Sequence, residues 1–188
     1  MATRSARRRS ASPAVTLAEQ VEEASALDPV VRAVTPLAGA LVASEGRRRL
    51  LQGEWLGHAL HPLMTDLPIG FWTSASVLDL VGDEESRPGA RRLVALGVLS
   101  AVPTAITGWA EWAAVGRQQE RRVGVVHAIS NGVAIMTYAA SWRARRRGDH
   151  GRGRNLALAG AAVASAGGFL GGHLVSARKV STRHPAFD

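Results

Sequence analysis

Six histidines are the side chains of this 188-residue chain best suited to chemistry near neutral pH, and the chain has no cysteine. Thiolate catalysis, disulfides and Cys-ligated zinc or iron–sulfur centres are therefore excluded, and any metal must be held by nitrogen or oxygen. His58, His61 and Asp66 stand close together, Glu111 lies far downstream, and His127 and His173 follow separately. Imidazole nitrogen ligates haem iron, copper, zinc and non-haem iron. His127 and His173 on two helices at matched depth could ligate one haem b, with nearby glycines giving a macrocycle room. Alternatively, three histidines with Asp66 or Glu111 could hold a divalent ion. Pro62 disfavours helical backbone at His61, which weakens a shared face for His58 and His61. No G-x-S-x-G, P-loop, G-x-G-x-x-G or H-E-x-x-H sequence occurs, so no catalytic residue is assigned.

The elements that must bring these residues together follow from how charge is distributed. Lys179 is the one lysine among 23 basic residues, and the arginines sit in short runs separated by long apolar stretches. A bilayer demands that arrangement, because a cation at the hydrocarbon centre costs several kcal/mol. Four segments approach the roughly 20 residues needed to cross: 63–81, 93–115, 123–142 and 156–177. The links between them are short, which forces antiparallel neighbours. No strand-like alternation appears. The expectation is an all-α, integral membrane, antiparallel four-helix bundle over residues 51–180, with both termini on one side. Residues 1–50 read as a basic tail followed by short amphipathic helices, and 181–188 as a C-terminal tail. Thr16 to Glu19 reads as a capping box, and Asp28-Pro29 as the start of a surface helix running to Ser44. The N-terminus lacks an apolar core, so insertion is expected from an internal helix. The arginine runs pull orientation in opposite directions and leave it open.

Antiparallel threading then places His58, His61, Asp66, Glu111, His127 and His173 at one end of the bundle. His127 and His173 each fall roughly 6 Å inside the same boundary at 1.5 Å per residue. His127, Asn131, Tyr138 and Trp142 share one helical stripe, and Thr104, Thr107 and Glu111 share another. Polar stripes in membrane helices face the bundle interior, so Asn131, Thr107 and Tyr138 are expected in an internal polar network. Three readings stay open: a cofactor or metal site, a hydrogen-bonded network that only pins helices, and a proton or solute path. The last is disfavoured because Ser165 is the sole polar side chain over 156–172. Asp79 reads as a solvated interface charge or a partner of Arg91 or Arg92. Small residues at four-residue spacing (Gly124, Ala128, Gly132; Gly160, Ala164, Gly168, Gly172) read as packing faces. The partners expected are the lipid bilayer, anionic headgroups facing the arginine runs and a redox protein. Nucleic acid is not expected, since the arginines alternate with spans of bilayer length.

Gly57-His58-Ala59-Leu60-His61-Pro62-Leu63, followed by Asp66-Leu67-Pro68-Ile69-Gly70, resembles the opening signature of a bacterial family of four-helix membrane proteins with a domain of unknown function. Thr107-Gly108-Trp109, Arg122 through His127 and Asn131 to Ser141-Trp142-Arg143, and Gly171-Gly172-His173-Leu174-Val175 extend the match over roughly 50–180. The family pattern has Asp before the tryptophan after the second helix, where this chain has Trp109-Ala110-Glu111-Trp112. The resemblance implies the fold and a membrane location. Some relatives are joined to a Rieske iron–sulfur domain, which implies a redox setting and turns the site reading toward haem or metal-linked electron transfer.

Overall fold

A computed structural model describes residues 12–181; the first eleven residues of the basic tail, and 182–188 with His184, lie outside the described residues. Among the described residues the chain is helical throughout, with no strand. In chain order the α-helices are α1 (Pro13–Glu23), α2 (Asp28–Leu41), α3 (Glu45–Leu51), α4 (Leu60–Val81), α5 (Arg87–Trp112), α6 (Gln118–Arg146) and α7 (His150–Gly172). A single π turn, His173–Ala177, continues α7.

Helix α1 starts three residues before the expected capping box. Ser12 is the N-cap, its Oγ accepting from Val15 N at 3.3 Å, and Pro13 occupies the first turn, where its missing N–H costs nothing. Asp28 lies inside the first turn of α2 rather than capping it. Its carboxylate is taken by Arg122 Nε at 2.7 Å and Gln118 Nε2 at 2.8 Å, which fastens α2 to the start of α6. α2 and α3 meet at a bend of 104°.

The bundle proper is α4 to α7. Three helices are each long and apolar enough to cross a membrane, over 84–112, 118–146 and 150–177, and the bent α2–α3 pair would make a fourth. The segment expected as the first span, 63–81, is the 22-residue α4, which pairs antiparallel with α5. It carries Asp66, Asp79, two prolines and several hydroxyls, and it is not among the helices long and apolar enough by themselves to cross.

Two helical hairpins, α4–α5 and α6–α7, pack with their first helices diagonally opposed and running the same way. Successive side chains meet across the line between them. His61 stands against His127, with ring centroids 6.2 Å apart and planes at 87°. Eleven residues on, Trp72 stacks on Tyr138 at 4.1 Å and 5°. Seven further on, Asp79 pairs with Arg145, whose Nη1 lies 2.7 Å from Oδ1. The second helices match in the same way. Gly97 backs Trp72 as Gly160 backs Tyr138, and Gly108 backs His61 as Gly171 backs His127. Thr104 and Gly167 supply equivalent carbonyls to the two histidines. The bundle is thus an internal two-fold repeat about an axis running along the helices. Large side chains of α4 and α6 meet along that axis.

Along α7, Gly153, Gly160 and Gly167 close on Arg145, Tyr138 and Asn131 at seven-residue spacing, with Gly171 on His127, and Gly124 of the expected α6 series packs on Trp112. Gly132, Gly168 and Gly172 of the expected four-residue series have nothing within 4 Å of a Cβ position. A left-handed antiparallel pair returns the same face every seven residues, which selects that spacing.

Candidate functional site

The site is built where α4 begins. His61 lies in its first turn and is partly buried; its backbone N–H donates to Glu111 Oε1 at 3.0 Å, joining the start of α4 to the end of α5. Its ring Nδ1 lies 2.9 Å from Thr104 O. A carbonyl offers only lone pairs, so Nδ1 carries the hydrogen and Nε2 is left free. Among the described residues, His61 Nε2 has no hydrogen-bond partner. His127 repeats the arrangement, with Nδ1 donating to Gly167 O at 2.7 Å. Its Nε2 is 3.0 Å from Asn131 Nδ2, one turn along α6.

Glycine makes this geometry possible. A Cβ on Gly108 would lie 2.8 Å from His61 Cε1, and one on Gly171 would lie 2.8 Å from His127 Cε1. Each imidazole therefore lies directly on a neighbouring helix backbone, in reach of its carbonyl. Thr104 Oγ1 adds a bond to Met64 O at 3.0 Å, and Thr107 Oγ1 bonds Thr104 O at 2.8 Å. Thr107 and Asn131 thus belong to the polar network around the two rings. Tyr138 stands deeper, against Trp72.

A cavity of about 330 Å³ opens at this end, lined among others by Arg48, Gln52, Glu54, Glu111, Glu120 and Ser181. Glu111 lies in its wall and accepts from the His61 backbone N–H, so one carboxylate reaches from the cavity to the first turn of α4.

The remaining candidates go elsewhere. His58 is exposed and turned to its own chain, with Nδ1 3.0 Å from Ala59 O. Asp66 is exposed on the outer face of α4. His173 Nε2 lies 2.7 Å from Glu22 Oε1, and Arg178 closes on the same carboxylate. Burial of Glu22 by itself favours its protonated form, but the bonds from Arg178 and His173 outweigh it and hold the carboxyl below its ordinary range. The histidine that meets His127 is therefore His61, while His173 anchors α1 to the end of the bundle. Among the described residues no group of three or more His, Asp or Glu side chains is placed to hold a metal ion.

At the other end, Arg145 and Asp79 leave only 1 % and 8 % of their side chains exposed. The solvated reading of Asp79, and its pairing with Arg91 or Arg92, give way to this buried pair. Arg145 follows Tyr138 by seven residues, as Asp79 follows Trp72, so the two reach the same axis. Arg145 Nε also bonds Ser141 Oγ at 3.2 Å, and Ser141 Oγ donates to Gly153 O at 2.6 Å. The sequence does hold a signal for these partnerships: His61-Pro62-Leu63 with Trp72 eleven residues on, matched by His127-Ala128-Ile129 with Tyr138 eleven residues on.

Segregated arginines, apolar helices of bilayer length and an all-α bundle define a multi-pass membrane protein. The family model described as predicted membrane protein, DUF2231, matches residues 57–184, and the chain belongs to that family. No curated protein and no solved structure matches the chain.

Proposed function

We propose that the bundle carries one metal centre between His61 and His127, a haem b or a two-coordinate transition-metal ion, and serves electron transfer within the membrane. The observation that carries this reading is the ring pair itself. Metal–imidazole bonds of about 2.0–2.1 Å put two rings on one ion at centroid separations of roughly 6 Å, and these rings are 6.2 Å apart. Both Nδ1 positions are occupied by main-chain carbonyls, the outer contact that usually fixes a ligating histidine and aims its Nε2. Two protein nitrogens with no third ligand suit a haem, which brings its own four, or an ion content with two. Such a centre supplies one-electron redox chemistry. The protein contributes ring orientation through Thr104, Gly108, Gly167 and Gly171, and exclusion of water by the Trp72–Tyr138 stack below. Glu111 gives a polar connection to the cavity above, where a redox partner protein would dock. The arginine runs at both ends suit anionic headgroups.

A second reading is favoured by one contact: Asn131 Nδ2 already occupies His127 Nε2. On that reading the bundle is a non-enzymatic scaffold, and the imidazoles only pin hairpin to hairpin. Absorption spectra of purified wild type and of His61→Ala, His127→Ala and His173→Ala separate the two. A metal centre gives a spectrum lost in the first two variants and kept in the third. A scaffold gives no chromophore and only lowered melting temperatures.

A further inference from the structure

The cavity of about 330 Å³ at the histidine end is lined by acceptors that the imidazole pair does not account for. Glu111 gives Oε1 to the His61 N–H, and a carboxylate has lone pairs for further donors. Packing of the bundle does not require an acid there. Glu111 stands three residues after Gly108, and the equivalent place three residues after Gly171 is Leu174. Gln52 turns its Nε2 away to Ala110 O at 2.9 Å, which leaves Oε1 as the free end of that amide. Ala114 and Gly116 follow the last turn of α5 and bring the negative end of that helix to the same wall. Among the described residues Arg48 is the one cation in the lining, and Glu45 and Glu54 already take it.

Glu120, in the first turn of α6, lines the same cavity and calls for a ligand. It leaves 9 % of its surface exposed, yet no described residue donates a hydrogen bond to its carboxylate. The guanidinium of Arg117 stands off at 3.9 Å, beyond hydrogen-bonding distance, and is itself exposed. A buried carboxylate without donors is costly, and folded proteins nearly always supply one. We propose that the cavity is a binding site for a primary ammonium group, held by Glu111 and Glu120 with Gln52 Oε1 as a third acceptor. An ammonium brings three N–H donors and one positive charge to a wall of acceptors. A metal ion does not suit it, because no three acids or histidines among the described residues are placed to hold one. The volume is at the lower end for small-molecule sites. Two sources carry this group to a membrane surface: a free amine in water, and the ethanolamine headgroup of a phospholipid. Leu50 and Trp55, on the segment that contributes Arg48, Gln52 and Glu54, are exposed and offer a lipid apolar footing. The site is independent of what lies between His61 and His127.

The test is calorimetric titration of the full chain in a non-ionic detergent and an amine-free buffer. Wild type should bind ethanolamine. Choline, the trimethylated counterpart without N–H donors, should bind about ten- to a hundred-fold more weakly, the worth of a hydrogen bond to a charged group. Glu120→Gln keeps the volume and removes the charge, and should lose affinity for ethanolamine by the same order, with its melting temperature as the control for folding. Arg117→Ala should bind as tightly as wild type or more so, because it removes a competing cation. Short-chain phosphatidylethanolamine binding more tightly than ethanolamine names the lipid as the source; equal or lower affinity names the free amine. No binding of ethanolamine, choline bound as well as ethanolamine, or Glu120→Gln binding as wild type does overturns the proposal. The comparison of ethanolamine with choline needs no variant, so it decides the matter even where Glu120→Gln fails to fold.

Discussion

Replacing Asp79 with alanine should be among the most damaging single changes outside the imidazole pair. The guanidinium of Arg145 is 1 % exposed, and both terminal nitrogens rest on the Asp79 carboxylate, one at 2.7 Å. Its remaining side-chain bond, Nε to Ser141 Oγ at 3.2 Å, cannot replace two charge-assisted bonds. Removing one partner of a buried pair leaves an uncompensated charge, at a cost of about 3–5 kcal/mol. Removing both is different: Asp79→Leu with Arg145→Met fills similar volume with apolar groups and should recover most of the loss, because desolvation offsets most of the pair's attraction. The assay is thermal or denaturant unfolding in one detergent for the two single variants, the double variant and wild type, analysed as a cycle. A coupling energy below about 0.5 kcal/mol would place the pair in water, in the range of exposed ion pairs, and would refute the buried register of α4 against α6.

Three further outcomes follow from the same geometry. Gly97→Ala would put a Cβ 2.2 Å from Trp72 Nε1 and should cost about 1–3 kcal/mol in unfolding experiments, whereas Gly168→Ala, with open space around it, should be neutral or slightly stabilising. Glu22 has a carboxyl held below its ordinary value of 4.5, so its contribution is complete above that value and is lost as pH falls through the lowered one. Limited proteolysis between α1 and α2 should accelerate at low pH, and Glu22→Gln should cleave fast at neutral pH already. His173→Ala should loosen α1 in the same proteolysis assay without changing any absorption spectrum, because its ring nitrogen serves Glu22.

The membrane class and the four bundle helices were legible because arginines crowd into the links and leave apolar segments of bilayer length between them. Helix ends were less so: Thr16 offered a capping box, but Ser12 and Pro13 start α1 one turn earlier. The end of the bundle that gathers histidines was legible from antiparallel threading. Which histidines meet was not, since depth alone cannot say which way a ring turns. His173 is drawn to Glu22 across 151 residues of sequence, and no local pattern reports that. The internal repeat carries the missing information, with His61, Trp72 and Asp79 at the spacings of His127, Tyr138 and Arg145. Aspartate against arginine disguises the last rung, because two charges facing each other in a buried site must be opposite in sign. The glycine series was half legible. Small residues were expected to pack, but a seven-residue return selects Gly153, Gly160 and Gly167 and leaves Gly168 and Gly172 outward.

The central claim, that His61 and His127 form the ligand pair of a metal centre on the internal two-fold axis, is tested most directly by native mass spectrometry of protein released from its own membrane. The account predicts a mass excess of one haem or one transition-metal ion per chain, absent from His61→Ala and from His127→Ala. A wild-type chain with the bare polypeptide mass would contradict it.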